Sequence, residues 1–152
     1  MKKRYFWLLF AVIMALPQFM DAKNKKEVCI QLYSVRDIIN EGKDINAVLK
    51  DLAQMGYTSV EAANYDNGKF YGKPPKEFKR AVEAAGMTVL SSHCTRGLSD
   101  EELASGDFSE SLRWWDQCIA AHKAAGMKYI VTPWMNVPKT VKDLKTYCNY
   151  FN

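Results

Sequence analysis

The sequence predicts an α/β fold in which parallel β-strands alternate with α-helices. The main observation is a unit that occurs three times: a helical segment ends at glycine, and a β-rich segment begins one or two residues later. The three glycines are Gly56, Gly86 and Gly126. Glycine adopts the left-handed backbone that ends a helix without a Cβ penalty. Strands and helices that alternate in this way form right-handed β-α-β units.

Apolar periodicity and helix-start residues define the individual elements. Apolar residues three and four apart predict helices over about 45–55 and 75–85. Asp44 is suited to cap the first of these helices, and Pro74-Pro75 to start the second. Two further helices are expected over 109–125 and from 139 onwards. The β-rich segments predict strands near 28–33, 57–62, 87–92 and 128–132.

Equal distances from the three glycines predict which side chains share a face of the sheet. Val60, Leu90 and Ile130 each follow their glycine by four residues, and we expect them to face the helices. Glu61 follows by five residues and His93 by seven, so strand alternation puts both on the opposite face. Polar side chains near the carboxyl ends of parallel strands are where α/β proteins place their sites.

Four β-α units amount to the first half of a (β/α)8 barrel. A complete barrel takes about 250 residues, and the chain has 152. The expectation is therefore that residues 23–152 are the N-terminal half of such a barrel, truncated in the fourth helix. The alternative is a small open domain of four strands, which would leave apolar strand edges uncovered.

The first 22 residues have the pattern of a secretory signal peptide. Three basic residues at 2–4 precede an apolar run of 12 residues, and a small residue, Ala22, marks the expected cleavage site. A membrane-spanning helix needs about 20 apolar residues, so no stable membrane span is expected after cleavage. The sequence predicts an exported, periplasmic or extracytoplasmic protein.

Charge and cysteine content exclude some classes of protein. Removing residues 1–22 would take away three basic side chains and one acidic one, which lowers the net charge from +4 to +2. This small surplus gives no support for nucleic-acid binding. The four cysteines contain no C-x-x-C pair, and buried or unpaired thiols are favoured over a disulfide framework.

Three segments resemble a known family. Residues 31–37, QLYSVRD, resemble a signature of sugar phosphate isomerase/epimerase proteins with a xylose isomerase-like TIM barrel. GYTSVE at 56–61 and GMTVLSSH at 86–93 are similar to the second and third strands of that family. The resemblance implies proton transfer next to a sugar carbonyl, assisted by a divalent ion (Mn, Mg, Co or Zn). It also implies that the metal ligands come from later strands, so we expect this chain neither to ligate the ion fully nor to be active by itself.

Five residues are candidates for binding a sugar or sugar phosphate: Gln31, Tyr33, Glu61, His93 and Trp134. Each residue could instead have a purely structural role. His93 could be hydrogen-bonded by a neighbouring loop, and Trp134 could be packed beneath a loop. No catalytic or metal-binding residue is assigned. Cys118 and His122 share a helix face but are too few for a zinc site. Trp114 and Trp115 are expected at a helix interface, and the loop 64–72 is suited to cover a substrate.

Three functions remain open at this stage. The first is a sugar isomerase or epimerase, with the enzymatic competence of this chain uncertain and with a homo-oligomer or a missing C-terminal half as partner. The second is a noncatalytic carbohydrate-binding remnant. The third is a metal-dependent hydrolase of the endonuclease IV type. That class requires a histidine after the fourth strand, where this sequence has Thr132-Pro133-Trp134.

Overall fold

A computed structural model describes residues 26–152, and the predicted signal peptide lies outside the described residues. The elements in chain order are β1 (Cys29–Gln31), a 3-10 turn (Leu32–Val35), α1 (Arg36–Asn40), α2 (Ile45–Gln54), β2 (Ser59–Ala62), β3 (Tyr65–Asp66), β4 (Lys69–Phe70), α3 (Pro75–Ala84), β5 (Thr88–His93), α4 (Asp100–Ser105), α5 (Ser109–Ala124), β6 (Tyr129–Val131) and α6 (Val141–Phe151).

The four predicted strands form one parallel sheet. Its order is β1-β2-β5-β6, and each neighbouring pair runs parallel. The main helices α2, α3, α5 and α6 follow the four strands in turn, so the predicted α/β class and the half-barrel succession of units are confirmed. The sequence did not predict the short helices α1 and α4 or the antiparallel β3–β4 hairpin, which lies inside the expected loop 64–72.

The predicted helix boundaries have the expected physical causes. The Asp44 side chain accepts hydrogen bonds from the backbone N–H groups of Asn46 and Ala47, which caps α2. Pro75 occupies the first turn of α3, where its missing N–H costs nothing. Gly56 follows α2 with φ of +97°, a left-handed conformation that turns the chain towards β2.

The main hydrophobic core lies between the sheet and helices α2 and α3. Leu49, Val60, Phe78 and Val82 are fully buried there. A second, smaller cluster joins α4, α5 and α6 around Leu98, Tyr147 and Tyr150. The helices therefore cover one face of the sheet, and the opposite face is left for the polar residues.

A β-bulge changes the predicted register at one position. Val60 pairs with Val89, whereas Glu61 pairs with Ser91, so Leu90 is an extra residue in β5. Val89 is buried in the core, and Leu90 is only half-buried. The prediction that Leu90 is equivalent to Val60 was wrong, because the glycine spacing cannot reveal an inserted residue. The bulge nevertheless leaves Glu61, Ser91 and His93 on the same face.

Much of the surface around β6 is apolar and exposed. Tyr129 in the strand and Trp134, Val137 and Val141 after it are all exposed. Within residues 26–152, none of the helices combines the length and apolar character needed to cross a membrane.

Candidate functional site

Three neighbouring strands bring Gln31, Glu61 and His93 together. Gln31 ends β1 and pairs with Glu61 in β2, and Glu61 in turn pairs with Ser91 in β5. His93, two residues beyond Ser91, ends β5 on the same face. Paired residues of adjacent parallel strands point their side chains to the same side of the sheet. The backbone therefore delivers these four side chains to one place, near the carboxyl ends of the strands.

The side chains form one hydrogen-bonded cluster centred on the Glu61 carboxylate. Gln31 Nε2 donates to Glu61 Oε1 at 2.7 Å, and Ser91 Oγ donates to Glu61 Oε2 at 2.5 Å. His93 Nε2 lies 3.1 Å from Glu61 Oε1 and 2.8 Å from Gln31 Nε2. Because an amide nitrogen can only donate, the contact with Gln31 requires His93 Nε2 to accept. The neutral His93 ring therefore carries its proton on Nδ1.

The environment of Glu61 favours the charged carboxylate. Burial by itself would raise its pKa, but the hydrogen bonds from Ser91 and Gln31, together with the nearby His93, hold the pKa below its usual value. Glu61 is thus an ionised group whose two oxygens are already occupied. Such a carboxylate orients its neighbours and is poorly suited to take up a proton.

A cleft of about 670 Å³ opens above the cluster. Gln31 and His93 form part of its floor, and Tyr33 and Trp134 stand in its wall. The remaining residues that line it are Ala63, Asn64, Tyr65, Asp66, Cys94, Thr95, Trp114 and Pro133. Glu61 itself contacts both Gln31 and His93 but does not line the cleft. A cleft of this size with polar groups on its floor and aromatic rings in its walls is suited to a small polar molecule.

Two contacts fix the cleft wall. Thr95 Oγ1 donates to the Trp134 backbone carbonyl at 2.9 Å, which ties the segment after β6 to the end of β5. On the other side, Tyr65 packs edge-on against Trp114, with ring centroids 5.7 Å apart. The hairpin expected to cover a substrate is held in this wall by its fully buried Phe70.

Several residues take roles that the sequence did not predict. Trp114 contacts the hairpin and lines the cleft, whereas Trp115 packs in the helix interface as expected. Ser91 also donates to Glu61, a contact that depends on the pairing of β2 with β5. Arg36 lies 3.6 Å from Asp37 and 4.3 Å from the centre of the Tyr33 ring, so it forms a surface ion pair and a cation–π contact.

The fold and the cluster define an α/β protein of the barrel type, with its polar site at the carboxyl ends of parallel strands. No protein-family profile matches the chain, and no curated protein sequence does. The chain does match several solved structures.

The chain is similar to a sugar phosphate isomerase/epimerase from Parabacteroides distasonis, with 29% identity and a TM-score of 0.71 over 84% of this chain and 48% of that one. A second sugar phosphate isomerase/epimerase from the same organism has 24% identity and a TM-score of 0.68 over 86% of this chain and 46% of that one. A xylose isomerase domain containing protein from Salmonella typhimurium has 13% identity and a TM-score of 0.57 over 84% and 44%. The last two comparisons show similarity of fold only, because their sequence identities are low.

These comparisons confirm the predicted resemblance to sugar phosphate isomerase/epimerase and xylose isomerase-like TIM barrel proteins. The chain spans about half the length of each of these three structures. Its described residues correspond to a four-stranded part of such a barrel.

Proposed function

We propose that this chain supplies the sugar-binding half of an isomerase or epimerase that acts on a sugar or sugar phosphate. The observation that carries the proposal is the Gln31–Glu61–His93 cluster on the floor of the cleft. The similarity to a sugar phosphate isomerase/epimerase at 29% identity supports the class of substrate. The reaction would be proton transfer next to a carbonyl.

The floor of the cleft can bind hydroxyl groups. Sugar hydroxyls both donate and accept hydrogen bonds, and Gln31 and His93 present both kinds of group. Glu61 holds Gln31 in a fixed orientation by accepting its hydrogen bond, and Gln31 in turn donates to His93 Nε2. A pre-oriented floor avoids the entropic cost of ordering polar side chains when the sugar arrives.

The aromatic walls can bind the apolar faces of a sugar ring. Tyr33 is 53% exposed and Trp134 is 58% exposed, so both present ring surface to a ligand in the cleft. Burying an exposed aromatic surface is favourable. The walls therefore contribute affinity, and the polar floor contributes orientation.

The divalent ion implied by the resemblance does not fit the described residues of this cleft alone. Glu61 and His93 are two donor groups, whereas divalent ions take four or more ligands. Both Glu61 oxygens already accept hydrogen bonds, and His93 Nε2 accepts from Gln31. Neither a metal-dependent step nor a catalytic base is assigned to residues 26–152, whose part is to bind and orient the sugar.

Noncatalytic carbohydrate binding is the second candidate function. The aromatic walls favour it, because they can bind a sugar ring whether or not a reaction follows. The two functions differ in what happens to the hydrogen on the carbon next to the sugar carbonyl. This hydrogen exchanges with solvent only if the protein catalyses proton transfer.

The test is incubation of the purified protein with aldoses, ketoses and their phosphates in D2O, with added Mn²⁺ or with chelator. Loss of the proton NMR signal next to the carbonyl reports proton transfer, and ligand line broadening reports binding. We expect binding of at least one sugar, weakened about tenfold or more by His93→Ala and by Trp134→Ala. Exchange supports an isomerase or epimerase, whereas binding without exchange that chelator leaves unchanged favours the noncatalytic function.

Tyr129→Ala is the matched control for Trp134→Ala. Tyr129 is 60% exposed, nearly the same fraction as Trp134, but it does not line the cleft. If the two variants weaken binding equally, or if no sugar binds at all, the proposed site is wrong.

A further inference from the structure

A buried group of sulfur and imidazole side chains lies where the end of β5 meets α5. Cys94 directly follows His93, and Cys118 and His122 are one turn apart on α5. The two sulfur atoms are 2.9 Å apart, and His122 Nδ1 is 3.5 Å from Cys118 Sγ. All three residues are buried. The proposed sugar site uses neither sulfur.

The distance between the sulfur atoms is short for two groups that are not bonded. Nonbonded carbon atoms, which are smaller than sulfur, rest about 3.5–4.0 Å apart. A disulfide bond is about 2.05 Å long. The two side chains therefore need a further approach of only about 0.9 Å to form the bond, which small side-chain rotations can supply.

The same group is less well arranged for a metal ion. Two thiolates at about 2.3 Å from a tetrahedral zinc ion lie about 3.7 Å apart, well beyond the observed distance. In addition, His122 Nδ1 lies 2.6 Å from the Cys118 backbone carbonyl, so this nitrogen donates its proton there and is not free to ligate. The group thus provides two sulfur atoms that are too close together for one zinc ion and an imidazole whose Nδ1 is already engaged.

We propose that Cys94 and Cys118 are a thiol pair that is oxidised to an intramolecular disulfide, which locks the end of β5 to α5. The oxidant is a small molecule or protein that contains a disulfide bond. Cys94 is the sulfur that such an oxidant would meet, because it is the member of the pair that lines the cleft.

The exchange balances in two steps. Cys118 begins as the thiolate. It takes the proton of Cys94, and the Cys94 thiolate attacks one sulfur of the oxidant, which breaks the oxidant's S–S bond and releases one thiolate. Cys118 then gives its proton to the released thiolate and attacks the Cys94 sulfur, which releases the second half of the oxidant as a thiolate. In total, the thiol and thiolate of the pair lose one proton and two electrons, and the oxidant becomes one thiol and one thiolate.

Electrostatics at the pair favour one thiolate, held mainly on Cys118. The hydrogen bond from Cys94 lowers the pKa of the Cys118 thiol, against the effect of burial, and the nearby His122 lowers it further. The same hydrogen bond, with Cys94 as the donor, raises the pKa of Cys94, and burial adds to this. One thiolate shared across a short contact is the species that thiol–disulfide exchange requires.

The link would act directly on the proposed sugar site. Cys94 is adjacent to His93, and the segment between the two cysteines, which are 24 positions apart, includes the Thr95 tether to Trp134. Closing a loop of this size restricts the unfolded chain and should stabilise the fold. The oxidised protein should hold the cleft wall more rigidly than the reduced protein does.

The test uses the full chain with the substitutions Cys29→Ser and Cys148→Ser. Both of these cysteines are exposed, and their removal prevents intermolecular bonds while leaving Cys94 and Cys118 in place. The protein is incubated in glutathione buffers of increasing glutathione disulfide content, then alkylated and digested with trypsin without reduction. We expect a cross-linked product of peptides 81–96 and 114–123, a mass loss of about 2 Da, and a Tm raised by roughly 5–10 °C.

Three outcomes decide the proposal. The expected peptide, absent from the matched Cys118→Ser variant, supports it. Two thiols that stay free at every buffer composition overturn it. Resistance to oxidation together with binding of one equivalent of added Zn²⁺ also overturns it, and assigns the group to a metal instead.

Discussion

Glu61 owes its behaviour to the competition between burial and hydrogen bonding. Its side chain is 18% exposed, so ionisation would be costly without partners. Ser91 and Gln31 supply them by hydrogen bonding, and the net result is a lowered pKa. The ionised carboxylate then fixes the orientation of Gln31, which in turn contacts His93. This residue acts on a ligand in the cleft through its neighbours, because it does not line the cleft itself.

Removal of one of these hydrogen bonds should change both pKa and stability. Ser91→Ala is expected to raise the pKa of Glu61, since burial is then opposed by fewer partners, and to destabilise the fold by about 1–3 kcal/mol at neutral pH. A carboxyl-carbon NMR titration of Glu61 and denaturant unfolding measure the two effects. Ser92→Ala is the matched control, because Ser92 is also buried in β5 but does not contact Glu61.

The pH dependence follows from the lowered pKa. The charged form of Glu61 stabilises the folded state fully above the unfolded value of about 4.5, and this contribution is lost as the pH falls through the lower folded value. Ser91→Ala should therefore show a smaller loss of stability between about pH 5 and pH 3 than the wild type does. An equal loss in both proteins would contradict the assigned role of Ser91.

The sequence predicted the candidate site because its residues follow simple rules. Strand alternation and the glycine positions placed Glu61 and His93 on one face, and the structure brings them within 3.1 Å of each other. The contributions of Trp114 and Cys94 to the cleft could not be predicted in this way. They depend on how a helix and a loop pack in space, which one-dimensional spacing does not encode.

At the scale of elements, helix ends are defined by individual capping residues. Ser99 and Glu102 form a capping box at the start of α4. Glu102 also accepts a hydrogen bond at 3.0 Å from the backbone N–H of Ser111 in α5, so one buried carboxylate joins two helices. Burial would raise its pKa, but the bonds from Ser99 and Ser111 lower it below the usual value.

Loss of this carboxylate should be costly. Glu102→Ala is expected to destabilise the fold by about 2–3 kcal/mol, because it leaves the buried backbone N–H of Ser111 without an acceptor and removes the capping box of α4. Glu101→Ala, at an exposed neighbouring position, should change stability by less than about 0.5 kcal/mol. Urea unfolding measures the free energy of unfolding of both variants. Similar losses of stability would contradict the role of Glu102 in joining α4 and α5.

The sequence predicted long elements better than short ones. The helices α2, α3, α5 and α6 have clear apolar periods or capping signals, and three of the four strands in the parallel sheet follow fixed glycines. The β3–β4 hairpin has two residues per strand, which is too short for any period to be visible. The bulge at Leu90 is a property of pairing between two strands and has no signal in either strand alone.

At the scale of the whole molecule, the sheet within residues 26–152 is open. β1 and β6 each have one neighbour in the sheet, so each presents a free edge. Exposed apolar side chains surround β6, among them Tyr129, Met135 and Val137. A free strand edge beside an apolar surface is a site at which another chain can pair with the edge strand and cover the apolar side chains.

This surface should make the described part of the chain associate with itself. We expect sedimentation at micromolar concentration to show dimers or larger species, and an environment-sensitive dye to bind. Val137→Lys together with Tyr129→Lys should reduce both effects, whereas Lys128→Gln, a change at an already polar position beside β6, should not. A monodisperse wild-type monomer that binds no dye would contradict this prediction.

The cluster that three strands build from Gln31, Glu61 and His93 is the basis of the proposed site. A direct measurement is the tautomer of His93, obtained from long-range proton–nitrogen NMR at about pH 8.5, where an imidazole is neutral, with the signals assigned by His93→Gln. The cluster predicts an unprotonated Nε2 in the wild type, and a shift of the proton to Nε2 in Gln31→Ala, because Glu61 then becomes its acceptor. A wild-type His93 with its proton on Nε2, unchanged by Gln31→Ala, would contradict the account.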